Sequence, residues 1–177
     1  MSKPEEIPID SRGIKILAHA TIRSWMEAVV ELLTNSDDAY KRLENSGEKC
    51  SGAISISLSR RKGGEWGVLE IYDVAGGISR KKLDSVTTFF ADSNEFNENK
   101  NVRGFFGRGL KETIVALGKG EIISIKDNKL NVVKIWYDPK NKKSYRQFIV
   151  EDGKVDVNTR KRYKIEKDGT LISINVE

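Results

Sequence analysis

Residues 31–39 read Glu31-Leu32-Leu33-Thr34-Asn35-Ser36-Asp37-Asp38-Ala39. Glu31, Asn35 and Asp38 stand four and three residues apart, a spacing that places all three on one stripe of a helix. At roughly 100° per residue that stripe lies opposite a face centred on Leu33, Ser36 and Leu43. Two readings follow from the stripe alone. It is a solvated polar face, as amphipathic helices usually present. Alternatively it walls a nucleotide cleft, where the Asn35 carbonyl oxygen suits a hard divalent cation and Glu31 takes a proton from water.

Working outward, Trp25, Val29, Leu32, Leu33, Ser36, Tyr40 and Leu43 recur at three- and four-residue steps. This periodicity predicts a helix over Thr21 to Leu43, capped by Thr21 and leaving at Gly47. Before it, Pro4 and Pro8 favour an extended arm over residues 1–13, within an N-terminal segment of about 20 residues. After it, Ile54, Ile56 and Leu58 alternate with serines, and Gly63-Gly64 turns into a second strand, Val68 to Tyr72. Ser79 caps a short helix to about Thr87. Residues 92–101 carry one apolar side chain in ten and read as a mobile loop. A further helix runs from about Gly109 to Leu117 and stops at Gly118. Four strands complete the chain: Ile122–Lys126, Leu130–Tyr137, Tyr145–Val150 and Leu171–Val176, with turns at Asp127-Asn128 and Asp168-Gly169. Helices come early and strands late, so the fold class expected is α+β, a two-layer sandwich with helices on one face of the sheet.

The 177 residues suit one domain, which at this size buries about 70% of its unfolded surface. A single cysteine, Cys50, excludes an intramolecular disulfide and a multi-cysteine zinc site. No apolar run approaches a membrane span and the N-terminus has no signal-peptide core, so a cytoplasmic protein without membrane association is expected. The chain closes on an alternating strand with no polar tail, and we expect it to be the N-terminal part of a longer protein. Charge is uneven: residues 1–99 hold 13 basic and 16 acidic side chains, residues 100–177 hold 18 and 10. The basic half is either a solvated surface or an attractant for nucleic acid. The runs Lys140-Asn141-Lys142-Lys143 and Arg160-Lys161-Arg162 raise the same choice, as hairpin surfaces or as DNA contacts.

Two glycine-bearing segments complete the candidate chemistry. Ile71-Tyr72-Asp73-Val74-Ala75-Gly76-Gly77-Ile78 runs a strand into an aspartate followed by two glycines. Asp73 is either a turn residue or an acceptor for an exocyclic amine. Arg103-Gly104-Phe105-Phe106-Gly107-Arg108-Gly109-Leu110-Lys111 is a G-x-x-G-x-G run that opens a helix. It is either a hinge or a phosphate cradle, because glycines at a helix N-terminus expose backbone N–H groups to anions.

The order of these elements, E-x-x-x-N-x-x-D-A, D-x-x-G-G, G-x-x-G-x-G and a late Gly-Thr, resembles the GHKL ATPase superfamily of gyrases, heat-shock-90 chaperones, mismatch-repair and MORC-type ATPases and histidine kinases. The resemblance spans about Glu27 to Leu171. One departure is Ala75, where the usual D-x-G-x-G motif has its first glycine. The resemblance implies a Bergerat-type fold with a mixed sheet, and a magnesium-dependent ATPase, slow in isolation, that acts as a conformational or dimerisation switch. It makes Glu31 the general base, Asn35 the magnesium ligand and Asp38 a support of the pocket. Asp73 accepts from the adenine amine with help from Thr170, while Gly77, followed by Ile78, lets the backbone approach the nucleotide. Gly104, Gly107 and Gly109 wrap the phosphates, with Phe106, Arg108, Leu110 and Lys111 of the same run among the nucleotide contacts. Residues 92–103 form the lid. The implied partners are ATP and a second copy of the chain, with DNA as a further candidate. Two alternatives remain at this stage: a nucleic-acid-binding module without hydrolysis, and a histidine-kinase-type domain. The latter needs an acceptor histidine, and the chain's one histidine is His19.

Overall fold

A computed structural model describes residues 10–48, 52–64, 66–89 and 108–177. Within them the chain order is α1 (Arg12–Thr21), α2 (Trp25–Asn45), β1 (Ser55–Arg60), β2 (Trp66–Asp73), α3 (Arg80–Thr87), α4 (Arg108–Leu117), β3 (Gly118–Lys126), β4 (Lys129–Asp138), β5 (Lys143–Lys154), α5 (Val157–Tyr163) and β6 (Gly169–Val176). The expected lid, Arg103, Gly104, Phe106, Gly107 and Cys50 lie outside the described residues.

Six strands form one sheet in the order β1-β2-β6-β3-β4-β5. The strands β3, β4 and β5 are successive hairpins, and β6 returns to fill the place between β2 and β3. Asp127 and Asn128 turn β3 into β4 with φ of 50° and 59°, the left-handed pair that a two-residue hairpin requires. Among the described residues every strand pair is antiparallel. This corrects the expected mixed sheet: β6 runs opposite to both of its neighbours, so β2 and β3 point the same way without touching.

Alternation along the strands separates two cores. On one face Leu69, Ile71, Ile122, Val133, Ile172 and Ile174 pack against Leu32 of α2, Leu83 of α3 and Ile114 of α4. On the other face Ile123, Ile125, Leu130 and Val132 pack against Val155 and Ile165, which flank α5. The two-layer α+β sandwich is therefore as expected, with α5 the helix placed on the second face. The basic run Arg160-Lys161-Arg162 belongs to α5 rather than to a hairpin surface.

The helix starts follow local chemistry. Ser24, not Thr21, caps α2 by accepting from Glu27 N, and Glu27 in turn accepts from Arg23 N at 2.7 Å. Thr21 instead closes α1, which occupies part of the segment expected to be an extended arm. Ile14 and Ala18 of α1, four residues apart, join the first core. Ser79 caps α3 through Lys82 N, as the sequence predicts.

Candidate functional site

A cavity of about 340 Å³ opens where α2, the β2–α3 loop and the ends of β3 and β6 meet. Asn35, Asp73, Gly77, Ile78, Leu110 and Thr170 all line it. Segments separated by more than a hundred residues in sequence are thus brought to one wall.

Asp73 ends β2 and is buried. Its Oδ2 accepts from the Ser36 hydroxyl at 2.8 Å, and its Oδ1 accepts from Ala75 N at 3.1 Å. Burial raises its pKa above the ordinary aspartate value, and the bonds from Ala75, Ser36 and Thr170 together with the Arg42 charge oppose the rise. The group is thus a desolvated acceptor whose oxygens are fixed by donors. Ala75 takes the place of a motif glycine without a positive φ, whereas Gly76 and Gly77 have φ of 77° and 65°. A Cβ at Gly77 would overlap the Ile125 carbonyl oxygen. Glycine is required there to seat the loop on β3, a constraint of the fold that acts before any ligand arrives.

The α2 stripe is neither solvated nor opposite the buried face. Asp38 is 1% exposed, Glu31 and Asn35 are half-buried, and Ser36 faces Asp73. The covering element is α4: a Cβ at Gly109 would overlap the Glu31 carboxylate, so Gly109 permits that carboxylate to lie on the helix backbone. Burial raises the pKa of Glu31, with the Glu112 and Asp38 charges adding to the rise and Asn35 opposing it. Asp38 does not line the cavity, and its Oδ1 has no hydrogen-bond partner among the described residues. Asn35 Nδ2 donates to the Glu31 carbonyl at 2.8 Å, which leaves the amide oxygen as its acceptor. That neutral oxygen, with a carboxylate one helical turn away, fits a magnesium ion that keeps most of its waters.

Lys111 does not face the cavity. It is 5% exposed, its ammonium donates to Val86 O at 3.2 Å and sits 5.1 Å from the Phe89 ring centroid. A cation at the carbonyl end of α3 complements that helix's dipole. Among the described residues, the cations that line the cavity are Arg42, Lys82 and Lys126. None was singled out from the sequence, since each sits in an ordinary surface pattern of its own element. In the sequence Ser36 and Tyr40 stand only as members of the helical period, and Ser124 only as part of a strand, so their polar groups were not singled out. Tyr40 accepts from Val74 N at 3.2 Å, one turn along α2 from Ser36. Arg108 opens α4, and Gly104, Phe106 and Gly107 lie outside the described residues.

A family model described as histidine kinase-, DNA gyrase B-, and HSP90-like ATPase matches residues 22–170. No curated protein matches the chain.

Proposed function

The chain belongs to this ATPase family and is an ATP-binding domain, and from that premise we propose that the cavity beside Asp73 holds ATP for magnesium-dependent hydrolysis. The observation that carries the reading is Asp73 itself. Burying a carboxylate is costly, and this one is held ionisable by the donors of Ser36, Ala75 and Thr170 at the end of a cavity of about 340 Å³. An exocyclic amine satisfies the remaining acceptor capacity, and Thr170, its cross-strand partner, sits beside it.

In this reading Asn35 holds magnesium, which when bound supplies charge neutralisation for the phosphates. Glu31 orients or deprotonates the attacking water, and its burial against Gly109 makes it more basic than an exposed glutamate. Arg42, Lys82 and Lys126 add positive charge at the cavity wall. The glycine run before α4, including Gly104 and Gly107, wraps the phosphates. The domain then serves as a nucleotide-controlled switch in a larger protein, through association with a second copy. Among the described residues no helix is long and apolar enough to cross a membrane.

The test is calorimetric ATP binding and phosphate release by this 177-residue chain, with magnesium and with chelator. We expect saturable ATP binding, slow release that requires magnesium, and markedly weaker binding in Asp73→Asn. An Asp73→Asn protein with unchanged affinity overturns the reading.

A further inference from the structure

Four buried polar residues lie side by side across the sheet on the helix-bearing face. Asp73 of β2 pairs with Thr170 of β6, Thr170 with Ser124 of β3, and Ser124 with Asn131 of β4. All four are buried, Ser124 completely. Asp73 and Thr170 reach the cavity, whereas Ser124 stands one strand behind Thr170. Asn131 is occupied elsewhere: its side-chain oxygen accepts from Asp152 N at 2.8 Å. Ser124 has no such structural duty toward β5, and its hydroxyl is directed at the cavity's two supports.

A serine hydroxyl has one proton and two lone pairs. Ile78 N donates to Ser124 Oγ at 2.6 Å, which pins the loop after Gly77 to β3. The hydroxyl has two acceptors in reach, Gly169 O and Thr170 Oγ1, each at 3.3 Å. When its proton goes to Thr170, the Thr170 proton is released toward the cavity and Thr170 acts there as a donor. When it goes to Gly169, Thr170 donates back and shows the cavity only lone pairs. The Ser124 proton therefore sets the polarity of the group next to Asp73.

We propose that Ser124 is a positioning residue for base selection: it presents Thr170 as a donor beside the Asp73 acceptor, a pattern that matches adenine and mismatches guanine. Adenine offers an amine donor next to a ring-nitrogen acceptor, while guanine offers a carbonyl acceptor next to a ring N–H donor. The proposal rests on the reading that the cavity takes an adenine nucleotide. It adds a residue that touches no ligand and acts through Thr170 and Ile78.

The experiment compares ATP and GTP affinities of wild type, Ser124→Ala and Ser124→Thr by calorimetry, with amide exchange at Ile78 followed in each. A lost neutral hydrogen bond corresponds to about a three- to tenfold change in affinity. We expect Ser124→Ala to weaken ATP by about that factor, to leave GTP unchanged, and to expose the Ile78 amide to exchange. Ser124→Thr, which keeps the hydroxyl, restores the ATP preference. Should Ser124→Ala prove too unstable to titrate, Ser124→Cys, of similar volume and a poor donor, is held to the same criterion. A purely structural serine would weaken both nucleotides equally, and that outcome overturns the proposal while leaving ATP binding intact. Wild type that binds no ATP removes the underlying reading and this proposal with it.

Discussion

The Ser36 hydroxyl donates to Asp73 Oδ2 at 2.8 Å, and both side chains are buried. This bond joins the helix that carries Glu31 and Asn35 to the strand end that carries Asp73. Displacement of either element therefore moves the other, and the two ends of the cavity are held in one register.

Asp73 places binding and stability in opposition. Its folded pKa is raised, so its contribution to stability is fully present below the unfolded value near 3.8 and is lost as pH rises through the folded value. Above the folded value the ionised carboxylate thus destabilises the ligand-free fold. Asp73→Asn removes that charge while keeping the shape. We expect a melting temperature at pH 7 no lower than wild type, converging with or falling below it toward pH 3, together with about a 10- to 100-fold loss of ATP affinity. Thermal melts across pH, paired with calorimetry at pH 7, check both parts; a large drop in stability at pH 7 would count against the assigned electrostatics.

Glu31 is expected to act on rate rather than affinity. Glu31→Ala removes the proposed base but leaves Asp73, Thr170 and Gly77 in place. ATP affinity should change by less than about threefold, while phosphate release falls by about 10²- to 10⁴-fold. Single-turnover release with titrated ATP separates the two effects, and wild-type turnover in this variant sinks the assignment.

Gly109→Ala tests the same carboxylate from the opposite side. In an exposed helix this substitution stabilises by about 1 kcal/mol. Here the new methyl group meets the Glu31 carboxylate, which has to leave its seat on α4. We expect the usual gain to be cancelled or reversed in thermal melts, and phosphate release to fall toward the Glu31→Ala level. A stabilised and fully active Gly109→Ala protein would show that Glu31 is not held where catalysis needs it.

Much of this architecture was legible in the sequence where one physical signal dominated. The last strand, Leu171 to Val176, alternates, β3 and β4 read as apolar runs because both of their faces are covered, Ser79 is a capping residue in the right place, and Asp127-Asn128 has the chemistry of a tight hairpin. The motif residues Asn35, Asp73, Gly77 and Thr170 do meet at one cavity. Illegible were features that depend on what lies across a gap. Helix α1 was hidden because Pro4 and Pro8 pointed to an extended arm, although Ile14, Ala18 and Ile22 stand four residues apart on its inward face. The seven-residue α5 has no buried residue of its own and rests on Asp156 accepting from Thr159 N at 2.7 Å and on the Arg160–Asp168 pair. Periodicity names an apolar face, yet it cannot say that α4 packs on the adjoining polar stripe, so Asp38 is buried where a solvated polar face was one of the two readings. Lys111 shows the same gap between sequence and space: its sequence neighbours are the glycine run, while its spatial neighbour is the end of α3.

The Ala75 departure from the D-x-G-x-G pattern separates two roles of glycine that the motif merges. Ala75 is 6% exposed and does not share the positive φ of Gly76 and Gly77. Alanine there buries a methyl group and narrows the unfolded ensemble without strain. Restoring the usual residue by Ala75→Gly should therefore destabilise the fold by about 1 kcal/mol and leave ATP affinity unchanged, since the Ala75 N–H to Asp73 Oδ1 bond is a backbone bond that any residue supplies. Gly77→Ala is the opposite case. Its φ of 65° and the Ile125 carbonyl in the path of a Cβ leave no room for relaxation, and a loss of at least about 2 kcal/mol is expected. Denaturant melts of the two variants in parallel decide the matter. Equal effects would mean that the loop answers to the motif as a unit, whereas the expected asymmetry assigns the requirement for glycine to packing against β3.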